Sequence, residues 1–136
     1  MERLRIPSDV ESRLARELIA WFTTVRADGQ PQPVPVWFLW EDGQFLIFSQ
    51  PRTQKLRNIR ANPKVALHFN SDERGDSVVR FEGVAEIVPD GRPATAFPAM
   101  IEKYREGIRS LGMTPESFAA EYSVQIRVRP TRLMHW

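Results

Sequence analysis

A predicted β-hairpin near the start of the chain has prolines at alternate positions of its second strand. Few strands of a sheet tolerate this pattern. The first strand, Trp21–Arg26, is β-branched and aromatic, and the Asp-Gly dipeptide after it is a strong turn signal. In the return strand, Gln32–Trp40, neither Pro33 nor Pro35 can donate a hydrogen bond to a ladder. We therefore expect this strand at a sheet edge, with backbone left open to a ligand or another subunit.

The rest of the chain predicts a small barrel of the α+β class. A length of 136 residues suits a single domain, 1–136, with a core of its own. Gly83 lies inside a long predicted strand and suggests a bulge that curls the sheet. Besides the hairpin, we predict strands at 44–49, 64–70, 77–88 and 124–129, which makes six in all, and helices at 9–20, 54–60, 94–110 and 115–122.

The residue types present limit what side chains alone can catalyse. The sequence has no cysteine, which excludes disulfides, thiolate metal sites and a cysteine nucleophile. It also has no GxGxxG, phosphate-loop or GxSxG motif. The two histidines, His68 and His135, are far apart in the sequence and predict no metal site. If the protein is an enzyme, an organic cofactor is the simplest source of its reactivity, and no catalytic residue is identified.

Charge and hydropathy favour a soluble protein with a small-molecule partner. Nineteen basic and 17 acidic side chains leave a net charge of +2, which is small for a nucleic-acid-binding protein. Charged residues and prolines interrupt every apolar run, so no membrane span is predicted. The segment Met1–Asp9 lacks the apolar stretch of a signal peptide. We therefore expect a cytoplasmic protein.

The segment 49–57 is the best candidate for an anion-binding site. It forms the predicted turn from a strand into a short helix, whose first amides lack internal partners and whose dipole favours negative charge. Arg52 could donate two parallel hydrogen bonds to phosphate oxygens, and the Thr53 hydroxyl could cap the helix or donate to the same anion. Lys55 adds a positive charge in the first turn of the helix. The alternative is the solvated face of an exposed helix, made of Arg52, Lys55, Arg57 and Arg60. Spacing alone does not decide between them.

Aromatic residues are concentrated on the second and third predicted strands. Trp37, Phe38, Trp40 and Phe48 could form a platform on which planar rings stack. Alternating aromatic residues on a hairpin also form the core of many sheets, and this alternative applies most directly to Phe38 and Trp40. Trp37 shares its predicted face with the two prolines, and both interpretations stay open for it.

Two longer runs resemble a known family. Residues 21–38, WFTTVRADGQPQPVPVWF, and 55–65, KLRNIRANPKV, are similar to the pyridoxamine 5′-phosphate oxidase-like split β-barrel superfamily. Within it, they most resemble the coenzyme F420-dependent oxidoreductases. The likeness covers nearly the whole chain, including residues 111–116 and 127–132. It implies a six-stranded split barrel with short peripheral helices, paired into a homodimer, with two flavin or deazaflavin sites in grooves between the subunits.

The resemblance also implies which residues bind the cofactor. The cofactor's phosphate would lie where the third strand meets the short helix, at Ser49, Arg52, Thr53 and Lys55. The ring would lie along the second strand and beside the third, at Pro35, Val36, Trp37, Phe48 and Gln50. From the partner subunit, the residue that would cover the ring is Trp136.

The function implied by the resemblance is hydride transfer between bound coenzyme F420, a deazaflavin, and a small electron-poor organic substrate. The acidic oligoglutamate tail of F420 would favour further cations along the groove, and Arg57, Arg60 and Arg80 are available. Three alternatives stay open: an FMN-dependent enzyme of the pyridoxamine phosphate oxidase type, a protein that binds flavin, deazaflavin or haem without turnover, and a nucleic-acid-binding barrel. No proton donor is assigned.

Overall fold

The computed structural model describes residues 4–136. Residues 1–3 belong to the segment Met1–Asp9, in which no signal peptide is expected, and they lie outside the described residues. The strands are β1 Ala20–Val25, β2 Pro31–Val36, β3 Leu39–Glu41, β4 Gln44–Ser49, β5 Lys64–His68, β6 Val79–Ile87 and β7 Val124–His135. The helices are α1 Ser8–Arg16, α2 Gln54–Ala61, α3 Pro98–Lys103, α4 Arg105–Ser110 and α5 Pro115–Glu121, with a 3-10 turn at Ala94–Ala96. Among these helices, none is long and apolar enough to cross a membrane.

The strands form one antiparallel sheet in the order β2-β1-β5-β6-β7-β4-β3. β7 pairs with β6 on one side and with β4 on the other, so that it joins the two halves of the curled sheet. The predicted bulge is confirmed as a register shift between Glu82 and Gly83. A Cβ atom at Gly83 would lie 2.8 Å from the carbonyl oxygen of Arg129, so this bend requires glycine. The curled sheet and its short peripheral helices confirm the split-barrel fold class.

Within residues 4–136 the sheet has seven strands rather than the predicted six, because the expected strand Gln32–Trp40 is interrupted. β2 ends at Val36, and β3 begins at Leu39 and pairs with β4. At the break, the backbone N–H of Phe38 donates to the Tyr104 hydroxyl at 2.9 Å. Packing explains the interruption, since Phe38 belongs to the barrel core and the preceding tryptophan packs among the helices.

Several other elements also differ in length from the prediction, among them α1, the helix over 94–110 and β7. α1 ends at Arg16 rather than Ala20, because Ala20 is fully buried at the start of β1, where it pairs with β2. The helix expected over 94–110 is divided into the 3-10 turn, α3 and α4. β7 continues to His135 rather than ending at 129, because the whole length of β6 pairs with the part of β7 from Ile126 to His135.

Two apolar cores lie on opposite faces of β4. Phe45 and Ile47 pack in the barrel, and Leu46 and Phe48 pack against α3–α5, as their alternation predicts. All four side chains are 7% exposed or less. Burying a side chain of this size contributes roughly 1.5–3 kcal/mol. β4 is therefore the common wall of both cores, and it fixes the helical segment next to the strand's carboxyl end.

Candidate functional site

A pocket of about 190 Å³ lies where the ends of β2 and β4, the start of α2 and the segment α3–α5 meet. Its polar side comes from the end of β4, the turn that follows and the first turn of α2, namely Ser49, Gln50, Thr53 and Lys55. Its other lining residues are mostly apolar, namely Pro35, Val36, Trp37, Phe48, Met100, Leu111, Phe118 and Tyr122. The volume is below the roughly 300–1,000 Å³ of typical ligand pockets. A ligand that needs a volume in that range would therefore extend beyond the pocket of one chain.

The structure brings together eight of the ten residues predicted to bind a cofactor. Those that line the pocket are Pro35, Val36, Trp37, Phe48, Ser49, Gln50, Thr53 and Lys55. Arg52 is exposed on the turn before α2 and does not line the pocket. Trp136 is 62% exposed and follows the far end of β7, whose first residue pairs with Ser49. The tryptophan is thus a whole strand away from the pocket of its own chain.

Lys55 is the only side chain with a formal charge among the pocket's lining residues in the described part of the chain. It lies in the first turn of α2 and is half-buried. Within residues 4–136 it has neither an ion pair nor a hydrogen bond. Burial without a compensating carboxylate lowers the pKa of Lys55 below its usual range. A half-buried ammonium without a partner favours an anion beside it, because the anion would offset the cost of burial.

Two hydroxyl groups adjoin the lysine at the start of α2. The Ser49 hydroxyl donates to the carbonyl oxygen of Gln50 at 2.7 Å and lies 3.1 Å from the Thr53 hydroxyl. Because the Ser49 proton is used at this carbonyl, Thr53 is the donor between the two hydroxyls. Thr53 is the N-cap residue of α2 but makes no side-chain cap bond. The amides of the first turn, 54–56, therefore have no side-chain capping acceptor and, together with the helix dipole, are available to an anion.

None of the arginines considered as cofactor-binding residues, Arg52, Arg57, Arg60 and Arg80, lines the pocket. Arg57 donates to the carbonyl oxygen of Arg52 at 2.9 Å and to the side chain of Gln54 at 2.7 Å, so its guanidinium braces the turn. Arg52 has a φ of 65°, a left-handed conformation at the position after proline that is typical of a type II turn. Arg60 and Arg80 are exposed and do not line the pocket. The solvated-face interpretation thus describes Arg57 and Arg60, whereas Lys55 differs from both.

β2 is confirmed as an edge strand, since it lies at one end of the sheet and, among the strands of residues 4–136, pairs only with β1. A ladder to β1 needs N–H donors from alternate residues of β2, and prolines occupy 31, 33 and 35. Residues 32, 34 and 36 must therefore face β1, which leaves the prolines' backbone facing outward. The outer edge consequently offers carbonyl acceptors and no N–H donors. Pro35 lies at the end of this edge that lines the pocket.

The apolar wall of the pocket is a stack of aromatic rings. Trp37 stacks on Tyr104 with 4.6 Å between ring centroids and on Phe118 with 5.5 Å. Phe38 is fully buried in the barrel core, and half-buried Trp40 packs edge-on against Phe45. The core interpretation therefore applies to Phe38 and Trp40. Trp37 contributes to the second core and to the pocket wall at once.

Sequence reasoning missed the residues that α3–α5 and their connection contribute to the pocket, which are Met100, Leu111, Phe118 and Tyr122. The spacing of Phe118 and Tyr122, four residues apart, indicates one apolar face of a helix. This signal predicts that the face is buried but not which surface covers it. Its neighbour proves to be Trp37, which lies far away in the sequence.

Neither histidine lies in the pocket. His68 is half-buried on β5 and stacks on Trp21 with 6.5 Å between ring centroids. His135 is exposed at the end of β7. Across residues 4–136, no group of three or more histidine, cysteine or acidic side chains is placed to hold a metal ion.

Comparison with known proteins extends the resemblance. The family described as pyridoxamine 5′-phosphate oxidase matches residues 6–136. A solved structure described as an F420 reductase is 32% identical, covers 95% of this chain and 98% of its own, and superposes with a TM-score of 0.72. No curated protein matches the sequence.

Two more distant structures share the fold. HutZ, the heme storage protein of Vibrio cholerae, is 18% identical with a TM-score of 0.71, and the match covers 97% of this chain and 95% of that one. A FAD-binding protein of Mesorhizobium loti is 21% identical with a TM-score of 0.66, and the match covers 95% and 92%. At these identities the likeness shows the fold alone.

Proposed function

Because the chain belongs to the pyridoxamine 5′-phosphate oxidase family, we propose that its pocket binds coenzyme F420 and that the protein transfers hydride between F420 and a small electron-poor organic substrate. The observation that carries the proposal is Lys55, a half-buried cation without a partner beside the uncapped start of α2. Such a site suits the phosphate group that F420 and FMN share.

The polar side of the pocket fits a phosphate. Lys55 supplies a charge, the first-turn amides supply directed donors, and the Thr53 hydroxyl can turn toward an added acceptor. Together they offset the negative charge of the phosphate without requiring Arg52, which lies outside the pocket. We expect Arg52 to act on a bound phosphate only at longer range, through solvent.

The apolar side fits a planar ring. Val36, Trp37 and Phe48 provide flat or compact surfaces, and the outward carbonyl of Pro35 can accept a hydrogen bond from a ring N–H. A bound flavin or deazaflavin supplies the hydride chemistry that these side chains lack. The protein's own contribution is to orient the ring, exclude water from one of its faces and fix its polar rim.

The choice of F420 over FMN rests on two observations. The structure that is 32% identical is described as an F420 reductase. Two exposed arginines, Arg57 and Arg60, also lie on α2 beyond the phosphate position, where an acidic tail leaving the pocket would meet them. FMN has no such tail, so these cations would discriminate between the two cofactors.

We further propose that the functional unit is a homodimer. The pocket of one chain is small for the whole cofactor, and it opens beside an edge strand that offers only acceptors. The exposed Trp136 of the partner subunit would close the open side of the ring, which its own chain cannot do. Each dimer would then contain two equivalent sites.

A parallel titration of the purified protein with FMN and with oxidised and reduced F420 tests the cofactor assignment. We expect F420 to bind more tightly, and Lys55→Met to weaken its binding at least about tenfold, the effect of removing one charged hydrogen bond. Lys64→Met is the matched control, because Lys64 is exposed on β5 outside the pocket. Equal affinities for F420 in the wild type and Lys55→Met would overturn the phosphate assignment.

Turnover is tested separately by oxidation of reduced F420 with a panel of enones, quinones and nitro compounds. Oxidation by any member of the panel at a rate above the protein-free rate supports the enzyme. Tight binding without oxidation supports a carrier protein, and preferential binding of FMN supports an FMN-dependent enzyme. A haem-binding protein would show haem absorbance on reconstitution, although the pocket's lining within 4–136 includes no histidine.

A further inference from the structure

An exposed hydrogen bond links a residue that lines the pocket to the helical segment beside it. The side-chain amide nitrogen of Gln50, Nε2, donates to Oε2 of Glu121 at 3.0 Å. Gln50 follows β4 and lines the pocket, and Glu121 is the last residue of α5. The contact therefore joins the sheet side of the pocket to its helical side.

The chemistry of the two groups fixes the orientation of the Gln50 amide. An ionised carboxylate only accepts hydrogen bonds, so the NH2 group of Gln50 must face Glu121. The oxygen Oε1 lies on the same planar carbon and diverges from the nitrogen by about 120°. No group in residues 4–136 donates to this oxygen. It is free to accept a hydrogen bond from a ligand.

We propose that Glu121 is a positioning residue that makes Gln50 a hydrogen-bond acceptor toward the ligand, so that the pocket selects a ring with an N–H group at its polar rim. The proposal rests on the proposed function, since the imide N–H of flavin and deazaflavin rings is the donor in question. The outward carbonyl of Pro35 is also an acceptor, so both polar groups beside the ring position have the same preference. A ring whose rim offers these groups only acceptors gains no hydrogen bond from either of them and is rejected.

The selectivity is measured with a pair of ligands that differ at this one atom, FMN and its 3-methyl analogue, in which N–CH3 replaces N–H. We expect the wild type to bind FMN about tenfold more tightly than the analogue, as the loss of one hydrogen bond to an acceptor that the bound ligand covers would give. In Glu121→Gln the new amide can also donate, so Gln50 is free to turn, and we expect the ratio to fall to about threefold or less.

The matched control is Glu116→Gln, a carboxylate in the first turn of the same helix that does not line this pocket. It should keep the wild-type ratio. If Glu121→Gln weakens both ligands equally and leaves the ratio unchanged, Glu121 has only a structural role and the proposal is overturned.

A measurement without any ligand separates this proposal from the proposed function. In 1H–15N spectra of the free protein, the side-chain amide of Gln50, assigned by its loss in Gln50→Met, should be shifted from the position of solvated glutamines. The shift should disappear in Glu121→Ala and persist in Glu116→Gln. If the Gln50 side-chain amide of the wild type has the chemical shift of a solvated glutamine, the positioning role is overturned even if F420 binds. A shifted amide together with failure of both FMN and F420 to bind keeps the orientation and removes the proposed function and the selectivity that rests on it.

Discussion

The ring of Trp37 lies on the ring of Tyr104, with 4.6 Å between their centroids and 7° between their planes. The Tyr104 hydroxyl at the same time accepts from the N–H of Phe38 and donates to the carbonyl oxygen of Leu18 at 2.7 Å. One side chain of the helical segment thus serves two purposes. Its hydroxyl forms hydrogen bonds with backbone groups near the break between β2 and β3. Its ring packs against Trp37, which forms part of the pocket wall.

Removing this hydroxyl should destabilise the protein without disturbing the stack of rings. Tyr104→Phe leaves the Phe38 amide and the Leu18 carbonyl without their partner, which costs about 1–3 kcal/mol of the free energy of unfolding. Urea denaturation measures the loss. Tyr122→Phe is the control, because the Tyr122 hydroxyl has no hydrogen bond in the described part of the chain, and it should stay within about 0.5 kcal/mol of the wild type.

A methyl group at Gly107 should also destabilise the protein, against the usual trend for a helix. Glycine in a helix is normally improved by alanine, by roughly 0.5–1 kcal/mol. At Gly107, however, a Cβ atom would lie 2.8 Å from Cη2 and 2.9 Å from Cζ2 of Trp37. We expect Gly107→Ala to cost about 1–3 kcal/mol, as overpacking does. A stability equal to or above that of the wild type in urea denaturation would show that Trp37 moves freely.

The same substitution should also affect the pocket, because Trp37 lines it. Displacement of the indole should weaken cofactor binding, whereas Arg109→Ala, an exposed change in the same helix, should alter neither stability nor binding. A loss of stability with unchanged affinity would show that the tryptophan wall does not touch the ligand.

Elements whose residues alternate locally were predictable from the sequence. In β4, the alternation of Phe45 and Ile47 with Leu46 and Phe48 predicts the strand and both of its buried faces. Proline chemistry alone predicts that β2 is an edge. The phosphate candidate was found through the helix start that contains Lys55, since helix ends have unsatisfied amides wherever they occur.

Features that depend on distant partners were not predictable. At the break, the hydroxyl of Tyr104, far along the chain, takes the place of a ladder partner for the N–H of Phe38. The extension of β7 depends on pairing with β6, which residues 131–135 do not reveal locally. Similarly, no local pattern shows that Glu121 meets Gln50.

Lys103 should make stability depend on pH. Its ammonium donates to the carbonyl oxygen of Phe38 at 3.0 Å, and burial lowers the pKa of Lys103 to about 8 from 10.5, an effect that nearby Glu17 opposes. The unfolded chain therefore binds more protons than the folded one between these values, and stability rises as pH increases through the window. We expect the urea midpoint to rise from about pH 7.5 to about pH 9.5, below the range in which tyrosines ionise.

The rise is isolated by comparing the wild type with Lys103→Met across these pH values. The variant should lose the part of the rise that Lys103 contributes, and Lys64→Met, which removes an exposed lysine, should retain it. Lys55, whose pKa is also lowered, is present in the wild type and in both variants, so its contribution to the pH dependence of stability cancels in the comparison. Parallel pH profiles for the wild type and Lys103→Met would contradict the assignment.

Trp136 provides a test of whether two chains share a site. It is exposed and lies a full strand away from its own pocket, so we expect Trp136→Ala to weaken F420 binding only through the partner's pocket. Trp136→Ala and Lys55→Met chains should each bind weakly alone. After mixing and subunit exchange, half of the dimers are mixed, and one site in each has both Lys55 and a covering tryptophan, so about a quarter of all sites should recover full affinity. If Trp136 instead acts on its own chain, every site in a mixed dimer retains one lesion and the high-affinity fraction stays at zero in the titration.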